Sequence, residues 1–149
     1  MADPLMDLVD ATVVALTAGE FSLAFTARWK DDALAELSDG DLETPQVWVV
    51  DSAESLPDAD GGVPLEEFGV LIVLQKKFAE DEDRPSACRN LSALAAEITR
   101  FCRATVLEGA VCVKTVRNPA RNLDDYHNLD RFYAEIQTTW RRVYEDDDE

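Results

Sequence analysis

Apolar residues recur along this chain with two different periods, and the switches between them lay out its elements. Behind Pro4, which can open a helix in its first turn, Leu5, Leu8, Val9, Thr12, Val13 and Leu16 recur at steps of three and four. That spacing predicts a helix over 4–18, with Gly19 as its stop. The period then changes to two. Phe21, Leu23, Phe25, Ala27 and Trp29 alternate with Ser22, Ala24, Thr26, Arg28 and Lys30, the signature of a half-buried strand. Residues 31–44 are an excursion containing Leu34, Leu37 and Leu42 and the turn signal Ser38-Asp39-Gly40-Asp41.

A second strand is predicted around Val47-Trp48-Val49-Val50, and residues 52–64, rich in Pro, Gly and Asp, read as a loop. The run Val70-Leu71-Ile72-Val73-Leu74 within 68–78 is apolar on both faces, as in a central strand with both sides covered. The longest helix is predicted from Pro85 to about Leu107, with Leu91, Leu94, Ala95, Ile98, Phe101 and Cys102 on one face and Gly109 as a stop. Of these, Leu94, Ile98 and Phe101 are expected to pack against Ile72 or Leu74. Val111–Arg117 is a fourth strand, 118–129 a loop, and Phe132–Val143 a fifth strand. In that last strand Phe132, Ala134, Ile136, Thr138 and Trp140 share a face.

Consecutive strands without an intervening helix pair most simply as antiparallel neighbours. The expected fold is therefore α+β: a mainly antiparallel sheet of about five strands, with helices packed on one face in two layers. At 149 residues the chain has the length of one domain, expected over 1–144. Residues 145–149 are all acidic and are expected to form a disordered tail.

Charge changes this picture in one respect. The chain holds 31 acids and 14 bases, a net −17, which argues against a nucleic-acid clamp or docking on an anionic membrane. Residues 1–83 carry 20 acids and 4 bases, a net −16, whereas 84–144 carry 6 acids and 10 bases, a net +4. Halves of opposite tendency suit a protein that packs against copies of itself or against a charged neighbour. No apolar run reaches the roughly 18 residues of a membrane span. The acidic start Met1-Ala2-Asp3-Pro4 differs from the basic opening of a secretion signal, so a soluble protein made in a reducing compartment is expected.

Catalytic chemistry is hard to find. His127 is the one histidine, in Asp124-Asp125-Tyr126-His127-Asn128-Leu129-Asp130. An Asp–His pair can orient a base, but no Ser or Cys has a nucleophile-elbow context, and the ordinary role of such a histidine is a solvated surface group. Cys88, Cys102 and Cys112 are widely spaced and read as small apolar residues. Asp39-Gly40-Asp41 and Asp58–Gly61 lack the spacing of a calcium loop. There is no phosphate-binding glycine motif, and Asn90-Leu91-Ser92 falls inside a predicted helix. No enzyme activity, cofactor or metal is expected. Trp29, Trp48 and Trp140 all fall on predicted strands, where packing is their usual role. Trp140, near the end of the last strand, is the candidate anchor of a subunit contact, with Arg141 and Arg142 beside it.

The order of features resembles that of the tail-terminator and tail-completion proteins of tailed bacteriophages. A leading helix precedes a strand ending in an aromatic (Phe21 to Trp29), then a Leu-rich link (Leu34-Ala35-Glu36-Leu37) and the short run Val47–Val50. After a polar loop, an apolar strand ends in lysines (Val70 to Lys77), and a helix like Leu91-x-x-Leu94-x-x-Glu97-Ile98 follows. The close resembles Phe-x-x-x-Ile-x-x-x-Trp/Tyr-Arg, here Phe132 to Arg141. The resemblance covers residues 5–143 and implies a structural virion protein. It would be a homo-oligomeric, hexameric ring that caps the tail tube protein at the head-proximal end and meets the head–tail connector. DNA would pass through the lumen unbound, and an acidic chain suits a lumen that must not grip phosphate. The family supplies no catalytic residues. Neighbouring neck proteins share this size and plan. A rival of another class is an acidic DNA mimic, which needs carboxylates at duplex-like spacing on a rigid face; many acids here lie in predicted loops and the tail.

Overall fold

A computed structural model describes residues 3–31, 43–55, 65–118 and 121–143. The first helix, α1, spans Pro4–Ala18 as its spacing predicts. Asp3 caps it, its carboxylate accepting from the Leu5 and Met6 N–H groups at 3.1 and 3.3 Å. Gly19 ends it for lack of room, not for a left-handed turn, since a Cβ there would sit 2.6 Å from the Phe21 ring.

The predicted strand over 21–29 forms only at its end, β1 (Thr26–Trp29). Phe21, Leu23 and Phe25 still pack onto the core, but without a neighbouring strand. Glu97 instead holds this stretch, accepting from the Ser22 N–H at 2.9 Å and from the Ser22 hydroxyl. The period of two thus foretold which side chains turn inward and overstated the ladder.

Next come β2 (Gln46–Ser55), β3 (Leu65–Lys77), α2 (Arg84–Ala104), β4 (Val106–Leu107), β5 (Ala110–Arg117), α3 (Leu123–Asn128) and β6 (Arg131–Val143). Three features correct the sequence reading. The long helix stops at Ala104, and β4 turns into β5 as a hairpin through Glu108 and Gly109, both at positive φ (50° and 73°). The segment read as a loop over 118–129 contains α3, capped by the Asn122 side chain, which accepts from the Asp125 N–H at 3.1 Å. Residues 52–55 extend β2 rather than begin a loop.

The six strands form one mixed sheet in the order β1-β2-β3-β6-β5-β4. Four of its five pairings are antiparallel, as expected, but β1 runs parallel to β2. Apolar periodicity carries no information on strand direction, which depends on the route between 31 and 44, most of it outside the described residues. β6 pairs with β3 over thirteen positions, from Lys77↔Arg131 to Leu65↔Val143, and lies between β3 and β5. The sheet is curled: α1 lies over β1 and β2 and also touches β4 from the far end.

The core occupies one face. Val47 and Val49 of β2, Phe68, Val70, Ile72 and Leu74 of β3, and Phe132, Ala134, Ile136 and Trp140 of β6 meet Leu8, Val9 and Leu16 of α1. Cys88, Leu91, Leu94, Ala95, Ile98 and Cys102 of α2 belong to the same cluster, as do Phe78 and, on β5, Ala110 and Cys112. Leu94 and Ile98 are buried in this cluster with Ile72 and Leu74. Phe101 differs from expectation. It is half-buried and packs edge-on against Phe21, with ring centroids 5.3 Å apart, because it lies at the rim of the helix's apolar stripe. The opposite face buries a smaller group, Trp48, Val73 and Tyr133. Among the described residues no helix is long and apolar enough to cross a membrane.

Candidate assembly surface

Trp140 is not an exposed anchor. It is fully buried, 0% exposed, on the core face of β6. Its indole N–H donates to the Thr138 hydroxyl at 2.8 Å, and that hydroxyl donates to the Val70 carbonyl at 2.7 Å. The alternation that sets Trp140 beside Phe132 and Ile136 decides its place, and its nearness to the end of the chain does not.

Arg141 and Arg142 lie on opposite faces of the same strand, and each already has a carboxylate. Arg141 stands directly across from Glu67 and Arg142 across from Glu66, with N···O distances of 2.8 and 2.5 Å. Arg142 also donates to the Glu108 carbonyl at 2.9 Å and lies over the Phe68 ring. These arginines therefore tie β6 to β3 and to the β4–β5 hairpin. Trp29 is the tryptophan that reaches the surface. It is 44% exposed at the sheet edge, and its indole N–H donates to Asp51 at 3.0 Å.

Two of the carboxylates near His127 in sequence are paired with arginines. Asp125 accepts from Arg131 Nε and Nη2 at 3.1 and 2.9 Å, and Asp130 pairs with Arg84 at 2.5 Å. The Arg84 guanidinium lies 5.1 Å from the centroids of both the Phe78 and Tyr126 rings, and Arg121 stacks on the same tyrosine at 4.6 Å. This is a cation–aromatic stack fastening α3 to the start of α2.

The three cysteines are buried free thiols. Burial, with Cys112 nearby, pushes the Cys102 thiol up to about 12, so it stays protonated and unreactive at neutral pH. Among the described residues no group of three or more His, Cys, Asp or Glu side chains is gathered to hold a metal ion. The calcium-like stretches lie almost wholly outside the described residues. Among the described residues, a hollow of about 350 Å³ lies between the end of α1 and residues 20–25, and another, of about 510 Å³, at the end of β3 beside Lys76, Lys77 and Asp130. In the first the Thr17 hydroxyl is turned to the Val13 carbonyl, and in the second Lys76 is paired with Glu82.

What the surface does offer is charge sorted by element. On the outward side of α1, Asp7, Asp10 and Val14 are exposed. On the outward side of α2, Arg100 and Arg103 are exposed. The sequence showed the imbalance between the two halves of the chain. That it resolves into two helix faces needed the fold.

No protein-family model and no curated protein sequence matches the chain. Among solved structures, a chain of the virion of a native gene transfer agent particle is similar over 97% of this chain and 100% of its own length, with a TM-score of 0.54 and 13% identity. A second, the sheath/tube terminator of an extracellular contractile injection system in its extended state, aligns with 98% of this chain and 58% of its own length, with a TM-score of 0.41 and 13% identity. The first likeness runs end to end, so this chain shares the fold of a gene transfer agent virion component.

Proposed function

We propose that this protein is a structural subunit of a phage-like tail, a terminator that assembles as a closed ring of six copies at the head-proximal end of the tail tube. The ring halts growth of the tube protein and presents a surface to the head–tail connector. DNA passes through its lumen without specific contacts, in keeping with a chain of net charge −17. The observation that carries this reading is the end-to-end match to a virion component, covering 97% of one chain and 100% of the other. The order of elements that resembles the terminator family supports it from the sequence side. The described side chains add no convergent nucleophile, base or metal set, which leaves binding as the work of the surface. The protein's place is then the virion, after synthesis in the host cytoplasm.

Deletion of the gene in the particle that carries it provides the test. The expected phenotype is tails of abnormal length that fail to join filled heads, restored by supplying the protein in trans. Tails of normal length already joined to heads in the deletion strain would rule out the terminator assignment.

A further inference from the structure

The outward faces of α1 and α2 carry opposite charges in mirrored order. Along α1 the exposed residues run Asp7, Asp10, Val14, at steps of three and four, one stripe of a helix. Along α2, read from its C-terminal end, the corresponding stripe runs Arg103, Arg100, Ala96, at the same steps of three and four. At about 1.5 Å per residue each stripe is about 10 Å long, so two antiparallel helices bring all three positions together at once. Val14 is 68% exposed, a large apolar side chain with no cover in its own subunit. Ala96 is small enough to let a second helix come close beside it.

The four charges have no ion-pair partner within their own subunit among the described residues. The ion pairs of the fold use Lys76, Arg84, Arg131, Arg141 and Arg142, with Glu82, Asp130, Asp125, Glu67 and Glu66. Glu97, which also projects from α2, is turned to Ser22. Within one subunit the two helices cover different strands, α1 lying over β1 and β2 and α2 over β5 and β6.

We infer that α1 of one copy docks antiparallel on α2 of the next, pairing Asp7 with Arg103 and Asp10 with Arg100 and seating Val14 on Ala96. The two surfaces are different, so the contact is head-to-tail, and each copy keeps one free α1 and one free α2 until the chain of copies closes. Antiparallel packing also sets the N-terminus of one helix dipole beside the C-terminus of the other. The occupant is a second copy of this chain because the complementary stripe, in charge, step and length, is on the chain itself. The contact rests on the ring reading proposed above and specifies which surfaces make the ring.

Charge reversal tests it with the full-length chain at matched ionic strength, by light scattering. The Asp7→Arg/Asp10→Arg variant and the Arg100→Asp/Arg103→Asp variant should each lose assembly, with association weakened roughly a hundredfold by like charges brought together. Mixed in equal amounts, the two should co-assemble to the mass of the unaltered protein. One variant then carries two basic stripes and the other two acidic ones, and they can alternate around the ring. Co-assembly also shows that both variants are folded. A reversed variant that assembles alone like the unaltered protein would overturn the contact and leave the ring standing. Two variants that fail alone and fail together, while retaining the helical circular dichroism of the original, would overturn it too. An unaltered protein that stays monomeric at every concentration, alone and on purified tail tubes, would overturn both the contact and the ring.

Discussion

The two faces of the sheet are built by different rules. On the helix-covered face, apolar side chains from β2, β3, β5, β6 and two helices form one continuous cluster, and the buried Trp140 and Thr138 are linked by hydrogen bonds to the backbone of β3. On the opposite face a smaller apolar group, Trp48, Val73 and Tyr133, is buried. The three buried donors without an acceptor among the described residues, Arg28 Nε, Trp48 Nε1 and Gln75 Nε2, lie there as well. Cross-strand register places them together, Arg28 beside Trp48 and Gln75 beside Gln46. A buried donor without an acceptor costs about 1–3 kcal/mol. One face therefore supplies most of the stability, while the other gives some of it up.

The largest expected difference between the faces comes from truncation. Trp140→Ala should cost about 3–5 kcal/mol in urea unfolding, the usual range for a core aromatic. A loss below about 1 kcal/mol would mean that the core is not where this packing puts it. A sharper comparison replaces each buried tryptophan by phenylalanine, which removes the indole N–H from both. Trp140→Phe deletes a satisfied hydrogen bond, whereas Trp48→Phe deletes an unsatisfied donor. The first should be the more costly by about 1–2 kcal/mol. Equal losses would show that the Trp48 N–H has an acceptor after all.

The last effect vanishes at neutral pH and appears only as the pH rises. Burial raises the folded-state Cys102 thiol from its ordinary 9.0 to about 12, so the folded protein holds this proton where the unfolded chain releases it. The stabilisation is fully present below pH 9 and falls as pH rises from about 9 to 12. Thermal unfolding followed across that window should show a shallower decline for Cys102→Ala than for the original protein. Parallel declines would assign the alkaline loss to other groups, such as Tyr133, whose phenol is also raised by burial and by its hydrogen bond to Glu135.

Much of the fold was legible because period and capping act locally. Pro4 and the step of three and four located α1, and the double-sided run Val70–Leu74 marked the strand that becomes central. Alternation placed Trp140 on the same face as Phe132 and Ile136, so its burial was already written there. What stayed hidden depends on partners distant in sequence. The parallel pairing of β1 is decided by the path of the chain. The two-residue β4 is too short for a periodic signal, though Glu-Gly between apolar residues is a hairpin cue. Asn122 followed by Asp124 and Asp125 could have revealed α3, since a capping residue ahead of acids is a helix start. Of the candidate interface residues, Arg141 and Arg142 have their carboxylates across the strand, a pairing that only register reveals.

The position of β6 has a consequence for how the molecule comes into being. Its thirteen pairings with β3 join residues from 54 (Lys77 with Arg131) to 78 (Leu65 with Val143) positions apart. Contacts of such range close slowly, because the entropy of a long loop is lost before any pairing repays it. They also bring the last of the described strands into the middle of the sheet. During translation the helix α2 can form as it leaves the ribosome, but β3 must wait for residues 131–143 before its second edge is filled. An interrupted translation product therefore keeps an open central edge and an uncovered apolar face. Such a product is a substrate for proteases and chaperones and is unfit to enter an assembly beside complete copies.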